Sequence, residues 1–278
     1  MIDALNPWHY FWRVVLSLCL CESLFLFPRI LVGDAVKDET RNLDILSLKI
    51  VNVYHAIVVG PIAAYYLVFG YLAGGDGPDE ALTAAVSRAV ALDASAAPAL
   101  FSGGLAQEPA AYLTSITVGF FIWDLARLEI WPPSGGGERE LMVAHHVVSI
   151  LVWPIAALNG VAGPFLLHFL STELSSPCLQ SRWCAQYLFG RGSAGDVVAS
   201  VAFALAFFIV RSSNAHVVLH AALAARMYSA ETHPDVPASV RYLGAATACL
   251  PPLLNMMWTL QILKMGKKML LGKKAKRA

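Results

Sequence analysis

Residues 141–159 read LMVAHHVVSILVWPIAALN. A helix that crosses a bilayer needs roughly 20 mostly apolar residues, and this run has the length and the character. Near its head stand two histidines, His145 and His146. Ionisable groups are expensive in lipid, so they face a bundle interior and often mark a functional pathway. Neighbouring helical residues point about 100° apart. One histidine can therefore face the interior while the other faces an adjacent helix or the interface. An imidazole kept from water stays neutral and can serve as base, nucleophile or ligand. The competing reading is a helix-end pair in the headgroup zone.

The rest of the chain repeats the pattern. It is 57% hydrophobic and 14% charged, with a mean hydropathy of +0.59. Soluble domains carry about 25% charge. The expected fold class is therefore all-α, a polytopic transmembrane bundle. Apolar runs at 9–32, 47–73, 111–131, 141–159, 196–225 and 240–265 are candidate spans. A seventh, 162–189, opens on Gly163-Pro164 and then carries Thr172, Glu173, Ser175, Ser176 and Pro177. Pro177 is expected to kink or break it. It is read as one interrupted span, with a re-entrant segment as the alternative, giving about seven spans. The first run is long enough to remain as a helix, and Asp3 and His9 stand where a signal peptide would be basic. Five cysteines, several in apolar runs, make no disulfide framework.

Seven spans put the termini on opposite sides. With the C-terminus in the cytosol, the cytosolic loops hold Lys37, Arg41, Arg139, Arg182 and Arg191, followed by the tail. Seven of the 20 basic residues lie between Lys264 and Arg277. The other side holds Arg88, Arg226 and Arg241 among several acids, which obeys the positive-inside rule. The long connection 74–110 contains a predicted short helix from Pro78 to Leu92.

Other polar groups punctuate the spans. Asp124 and Arg127 are three apart and can pair on one face, and Asp124 could instead orient an imidazole from the following helix. Glu173 sits among Ser171, Thr172, Ser175 and Ser176, whose hydroxyls could satisfy it. His168 is read as a satisfied interior histidine. Arg211 lies mid-span and needs an acid partner or a lipid phosphate. His216 and His220 share a helical face. Their spacing would suit a metal with help from His145, His146 and Glu173, but no HExxH or CxxC pattern supports one, and none is expected. His55 follows Tyr54 in the second span. Asn255 follows Pro251-Pro252 and is expected to repair the kink they cause. There is no GxSxG, Walker loop, GxGxxG or basic-aromatic pattern, so no nucleic-acid partner and no nucleotide cofactor are implied.

Five blocks in order resemble the TLC domain, the fold shared by translocating-chain-associating proteins, ceramide synthases and a ceroid-lipofuscinosis protein. They are Lys49 to Ala56, with Tyr54-His55; Gly119 to Leu125, with Trp123-Asp124; Ala144 to Ser149, with the histidines; Thr172 to Pro177 with Arg182-Trp183; and Asn255 to Trp258 before a basic end. The resemblance covers about Lys49 to Lys268. It implies a bundle around a lipid-accommodating cavity in the endoplasmic reticulum or a related membrane. It divides the chain into an N-terminal span and loop (1–45), the domain itself (46–268, with 74–110 inserted) and a basic cytosolic tail (269–278). In the ceramide synthases the paired histidines serve N-acyl transfer from acyl-CoA to a sphingoid base. Those synthases follow the histidines with a closely spaced aspartate pair, where this chain has Glu173-Leu174-Ser175-Ser176. The chain thus looks closer to the TLC-domain proteins of lipid homeostasis.

The resulting expectation is a lipid-handling membrane protein that transfers an acyl group. Acyl-CoA would be the co-substrate, membrane lipid the acceptor, and no further cofactor is implied. His145, His146, Asp124 and Glu173 are the candidate catalytic residues. His55, Arg211, His216, His220 and Asn255 are the candidate lipid contacts. The alternative is a non-catalytic lipid binder, regulator or trafficking adaptor. The C-terminal Lys274-Ala275-Lys276-Arg277-Ala278 resembles a KxKxx retrieval signal read by cytosolic coat proteins.

Overall fold

The computed structural model describes residues 6–32, 40–69, 107–128, 138–160, 163–213, 216, 217, 220 and 237–275. Among them every regular element is a helix: α1 (Pro7–Val32), α2 (Thr40–Leu67), α3 (Gln107–Leu125), α4 (Glu138–Leu158), α5 (Gly163–Ser171), α6 (Ser176–Phe189), α7 (Ala194–Phe207), α8 (Ala238–Ala248) and α9 (Leu250–Ala275). Among the described residues, four segments are long and apolar enough to cross a membrane: Pro7–Leu31, Leu43–Leu67, Arg139–Leu158 and Ala194–Ser212. The predicted helix Pro78 to Leu92 and the last three residues of the tail lie outside the described residues.

Helix α3 is the axis of the bundle and packs on α1, α2, α4 and α5. Ala110, Ala111, Leu113, Val118, Phe120, Phe121 and Trp123 are all buried, and so are Thr114, Ser115, Thr117 and Asp124. The hydroxyls are tolerated because each donates to a carbonyl one turn back, as Thr114 Oγ1 does to Ala110 O at 2.7 Å and Thr117 Oγ1 to Leu113 O at 3.0 Å.

Helix α1 opens with Asn6 accepting the Trp8 N–H at 2.9 Å and Pro7 in the first turn, a capped start. It is fastened along α3 by polar contacts at three levels. Arg13 Nε donates to Ser115 Oγ at 3.1 Å, and Ser17 Oγ donates to Ile116 O at 2.6 Å. Glu22 then receives Trp123 Nε1 at 2.9 Å and pairs with Arg127. Gly119 permits the approach: a Cβ there would lie 2.5 Å from Val14 O and 2.7 Å from Ser17 Cβ. Small residues at helix crossings are how membrane helices come close.

The interrupted segment is resolved in detail. Helix α5 tightens into a 3₁₀ turn, Thr172–Ser175, and α6 follows directly. Ser171, Ser175 and Ser176 keep right-handed helical angles (φ −63, −83 and −67°), so the chain runs onward rather than folding back. Pro177 does not kink a helix interior. It sits in the first turn of α6, where its missing N–H would have had no partner anyway. The irregularity comes from the hydroxyls. Ser171, Thr172 and Ser175 donate to the carbonyls of His168, Phe169 and Thr172, competing with the regular ladder.

Two expected spans are also divided. Helix α7 ends in a π-turn, Phe208–Ser212, and Ser213 turns extended at ψ 152°, so 196–225 is not one continuous helix. Helices α8 and α9 meet at Cys249, which keeps helical angles (φ −75°, ψ −21°). Pro251 and Pro252 occupy the first turn of α9 instead of kinking a longer helix. Helix α9 runs on to Ala275, so residues 269–275 of the expected tail are helical.

Candidate functional site

A cavity of about 280 Å³ lies between α4, α5, α8 and α9, with α3 at its back. Along α4 its wall runs from Leu141 to Ala156. At 1.5 Å per residue that is roughly 22 Å, most of a hydrocarbon core. The middle is apolar, with Val148, Val152, Leu166 and Phe169. One end is polar, where His145, Thr117, Glu173, Arg211 and Asn255 line the wall beside Trp258, and Arg241 and Thr247 of α8 line the wall elsewhere.

The two histidines do divide, as their angular separation requires. His146 is 2% exposed and points away from the cavity toward α3, where its Nε2 lies 3.1 Å from Asp124 Oδ2. Its Nδ1 lies 2.8 Å from the carbonyl oxygen of Met142. A carbonyl accepts only from an N–H, so Nδ1 carries a hydrogen. The proton facing Asp124 sits on the ring or on the carboxyl, and either form fixes the ring plane. Phe121 lies against both histidines, with centroids 4.2 Å from His146 and 5.6 Å from His145. His145 lines the cavity and makes no hydrogen bond among the described residues. Its ring stands edge-on to His146 at 5.6 Å and 87°. The result is a free imidazole facing the cavity, backed by a locked one.

Arg127 is not Asp124's partner. Its side chain crosses to Glu22 of α1 instead, a residue about a hundred positions away in sequence. Asp124 is thereby left facing the histidine helix.

Glu173 and Arg211 meet where two irregular turns face one another. Arg211 Nη2 lies 3.5 Å from Glu173 Oε1, and Arg211 Nε donates to Ser175 Oγ at 2.8 Å. Of the four nearby hydroxyls expected to serve Glu173, only Ser176 donates to it, at 2.7 Å. Gly60 of α2 lets this turn pack closely, since a Cβ there would lie 3.0 Å from Leu174 N. Asn255 does not repair its own helix. Its Nδ2 donates to Arg211 O at 3.3 Å, pinning the π-turn to α9, and Ser212 Oγ meets Thr259 Oγ1 at 2.8 Å beside it. Arg211 also lies over the Phe207 and Trp258 rings.

The other candidates lie apart from the cavity wall. His55 is buried, stacked on Phe120 at 4.1 Å, with Nε2 3.1 Å from Thr117 Oγ1. It reaches the site through Thr117 and through Phe121, whose ring centroid lies 6.3 Å from its own. His216 and His220 join His168 in a separate cluster behind Phe165 and Phe169. His168 stacks on His216 at 4.3 Å, and His220 Nε2 donates to Ala248 O at 3.0 Å. His168 is not a satisfied histidine: its Nε2 is buried without a hydrogen-bond partner among the described residues. Neither this cluster nor any other group of three or more His, Cys, Asp or Glu is placed to hold a metal ion among the described residues.

Thr117, Ser149 and Arg241 also line the cavity. Ser149 falls one turn beyond His145, which the sequence spacing could have revealed. Thr117 and Arg241 carry no sequence signal of a site.

Comparison with known proteins agrees with the blocks read in the sequence. The profile of the TLC domain matches residues 49–264. TLC domain-containing protein 4 of Homo sapiens is 24% identical over 152 residues, 54% of this chain and 56% of that protein. The alignment thus spans about half the length of each. No solved structure matches the chain.

Proposed function

The chain belongs to the TLC domain family of membrane proteins, and from that premise we propose that it is an enzyme of lipid metabolism that transfers an acyl group inside the cavity. The observation that carries this reading is His145, an imidazole with no hydrogen-bond partner that faces an apolar cavity from a position backed by the His146–Asp124 pair. In this reading an acyl-CoA lays its chain along α4. A ring nitrogen of His145 attacks the thioester carbonyl, the C–S bond breaks, and the departing thiolate takes the imidazole proton. A hydroxyl or amine of a membrane lipid then attacks the acyl-imidazole. Its proton passes to the ring and the C–N bond breaks, regenerating neutral His145. His146 and Asp124 hold Phe121 and the ring pair in place. Glu173 and Arg211 supply opposite charges at the same end of the cavity.

The proposed setting is the endoplasmic reticulum membrane with the C-terminus in the cytosol. The distribution of basic loops and the C-terminal KxKxx, a candidate contact for coat proteins, support it.

The test uses the purified protein with palmitoyl-CoA or oleoyl-CoA and a mixed-lipid acceptor. Wild type should release free CoA and show an acyl adduct by intact mass. His145→Ala should abolish both while staying folded. Full turnover in the His145→Ala/His146→Ala double variant sinks the mechanism. Co-purifying lipid with no turnover of any donor would assign a non-catalytic lipid-binding role instead.

A further inference from the structure

The cavity has a second end. Opposite His145 its wall is made by Ile155 and Ala156 of α4, Val240, Leu243 and Gly244 of α8, and Arg241. Arg241 stands 14 residues before Asn255 on the consecutive helices α8 and α9, roughly 20 Å away at 1.5 Å per residue. The two cations of the cavity differ in their surroundings. Arg211 is matched by Glu173, Ser175 and two rings. The Arg241 side chain forms no ion pair or hydrogen bond among the described residues, and its Nε is buried without a partner. Glu173, the one acid on the cavity wall among the described residues, is engaged at the far end. A guanidinium cannot shed its charge, and a buried donor left unmet costs free energy. Its planar fork matches a carboxylate or a phosphate.

We propose that Arg241 is the headgroup site for an anionic lipid whose chain enters the cavity from the end opposite His145. The chemistry is an oxyanion on an amphiphile, either the carboxylate of a free fatty acid or the phosphate of a single-chain phospholipid. The chain lies between α4 and α8 along Ala156, Val152 and Val148, toward His145. A volume of about 280 Å³ is at the lower limit of ligand pockets and takes one slender chain. Occupancy from this end therefore excludes a chain held from the His145 end. The site needs no acyl transfer and stands if the proposed chemistry fails.

Binding to the full-length purified protein in neutral detergent tests it, with oleate, oleoyl lysophosphatidate and uncharged monoolein as probes. Wild type should bind one or both anions at least tenfold more tightly than monoolein. Arg241→Gln should weaken the preferred anion about tenfold, the size of one charged hydrogen bond, and leave monoolein unchanged. Preference for oleate identifies the carboxylate source, and preference for lysophosphatidate the phosphate. Equal wild-type affinity for all three probes overturns the proposal without any variant, as does an Arg241→Gln protein that binds both anions like wild type.

Discussion

Glu173 and Arg211 meet at 3.5 Å because one helix is locally too tight and another locally too wide. The 3₁₀ turn Thr172–Ser175 and the π-turn Phe208–Ser212 are each a departure from the α-helix, and the ion pair joins them. Removing one member strands the other. Glu173→Gln should lower stability by about 1–3 kcal/mol, the cost of leaving a partly buried charge without its acid partner. The double variant Glu173→Gln/Arg211→Met should recover part of that loss. Thermal unfolding in detergent checks both. A double-variant loss equal to the sum of the separate Glu173→Gln and Arg211→Met losses would show that the pair is not coupled.

Arg127 and Glu22 provide the contrast. Their side chains are 28% and 35% exposed, and pairs so placed contribute little. Arg127→Met should cost no more than about 1 kcal/mol in the same assay.

His145 and His146 should separate by stability as well as by activity. His145→Ala removes a ring with no hydrogen-bond partner and should shift stability by less than about 1 kcal/mol. His146→Ala strands Asp124 and frees the Met142 carbonyl, and should cost about 2–4 kcal/mol. Equal effects of the two substitutions would contradict the division of roles.

Gly119 should be intolerant of any side chain. Gly119→Ala puts a Cβ against the backbone of α1, and overpacking of that kind costs about 1–3 kcal/mol. Gly266, with nothing within 4 Å of its added Cβ, is the control. Gly266→Ala should be neutral or stabilise by up to about 1 kcal/mol through helix propensity.

Filling the cavity should displace ligand without unfolding the protein. Val152→Trp adds bulk at the middle of the apolar wall. Lipid that co-purifies with wild type should be lost from this variant, as read by mass spectrometry of the extracted lipids, with the unfolding temperature retained.

Much of the fold was legible because apolar run length is a strong signal. The run at 141–159 became α4 nearly intact, and the histidine pair split as helical geometry demands. The contact between Asp124 and His146 could be anticipated from adjacent helices. The partner of Arg127 could not, because it lies on α1, about a hundred residues away, and no local spacing encodes it. Pro177 stands at an interruption of the helix, as expected, but the proline pair at 251–252 misled for one reason. Proline marks a helix's first turn as readily as its break, and the sequence does not say which. Arg241 looked like a loop charge because the cavity that gives it meaning is assembled from four other helices.

The seam between α1 and α3 bears on how the chain enters the bilayer. Arg13, Ser17 and Glu22 on the first helix all find their partners on α3. Until α3 is synthesised, the first helix would lack these cross-helix contacts to Ser115, Ile116, Trp123 and Arg127. The order of synthesis therefore predicts that the first helix becomes stable only once α3 has joined it. A nascent chain stopped before residue 107 should be extracted and degraded quickly, and one extended past residue 128 should persist. Pulse-chase of the two truncations would tell them apart, and equal lifetimes would refute the order.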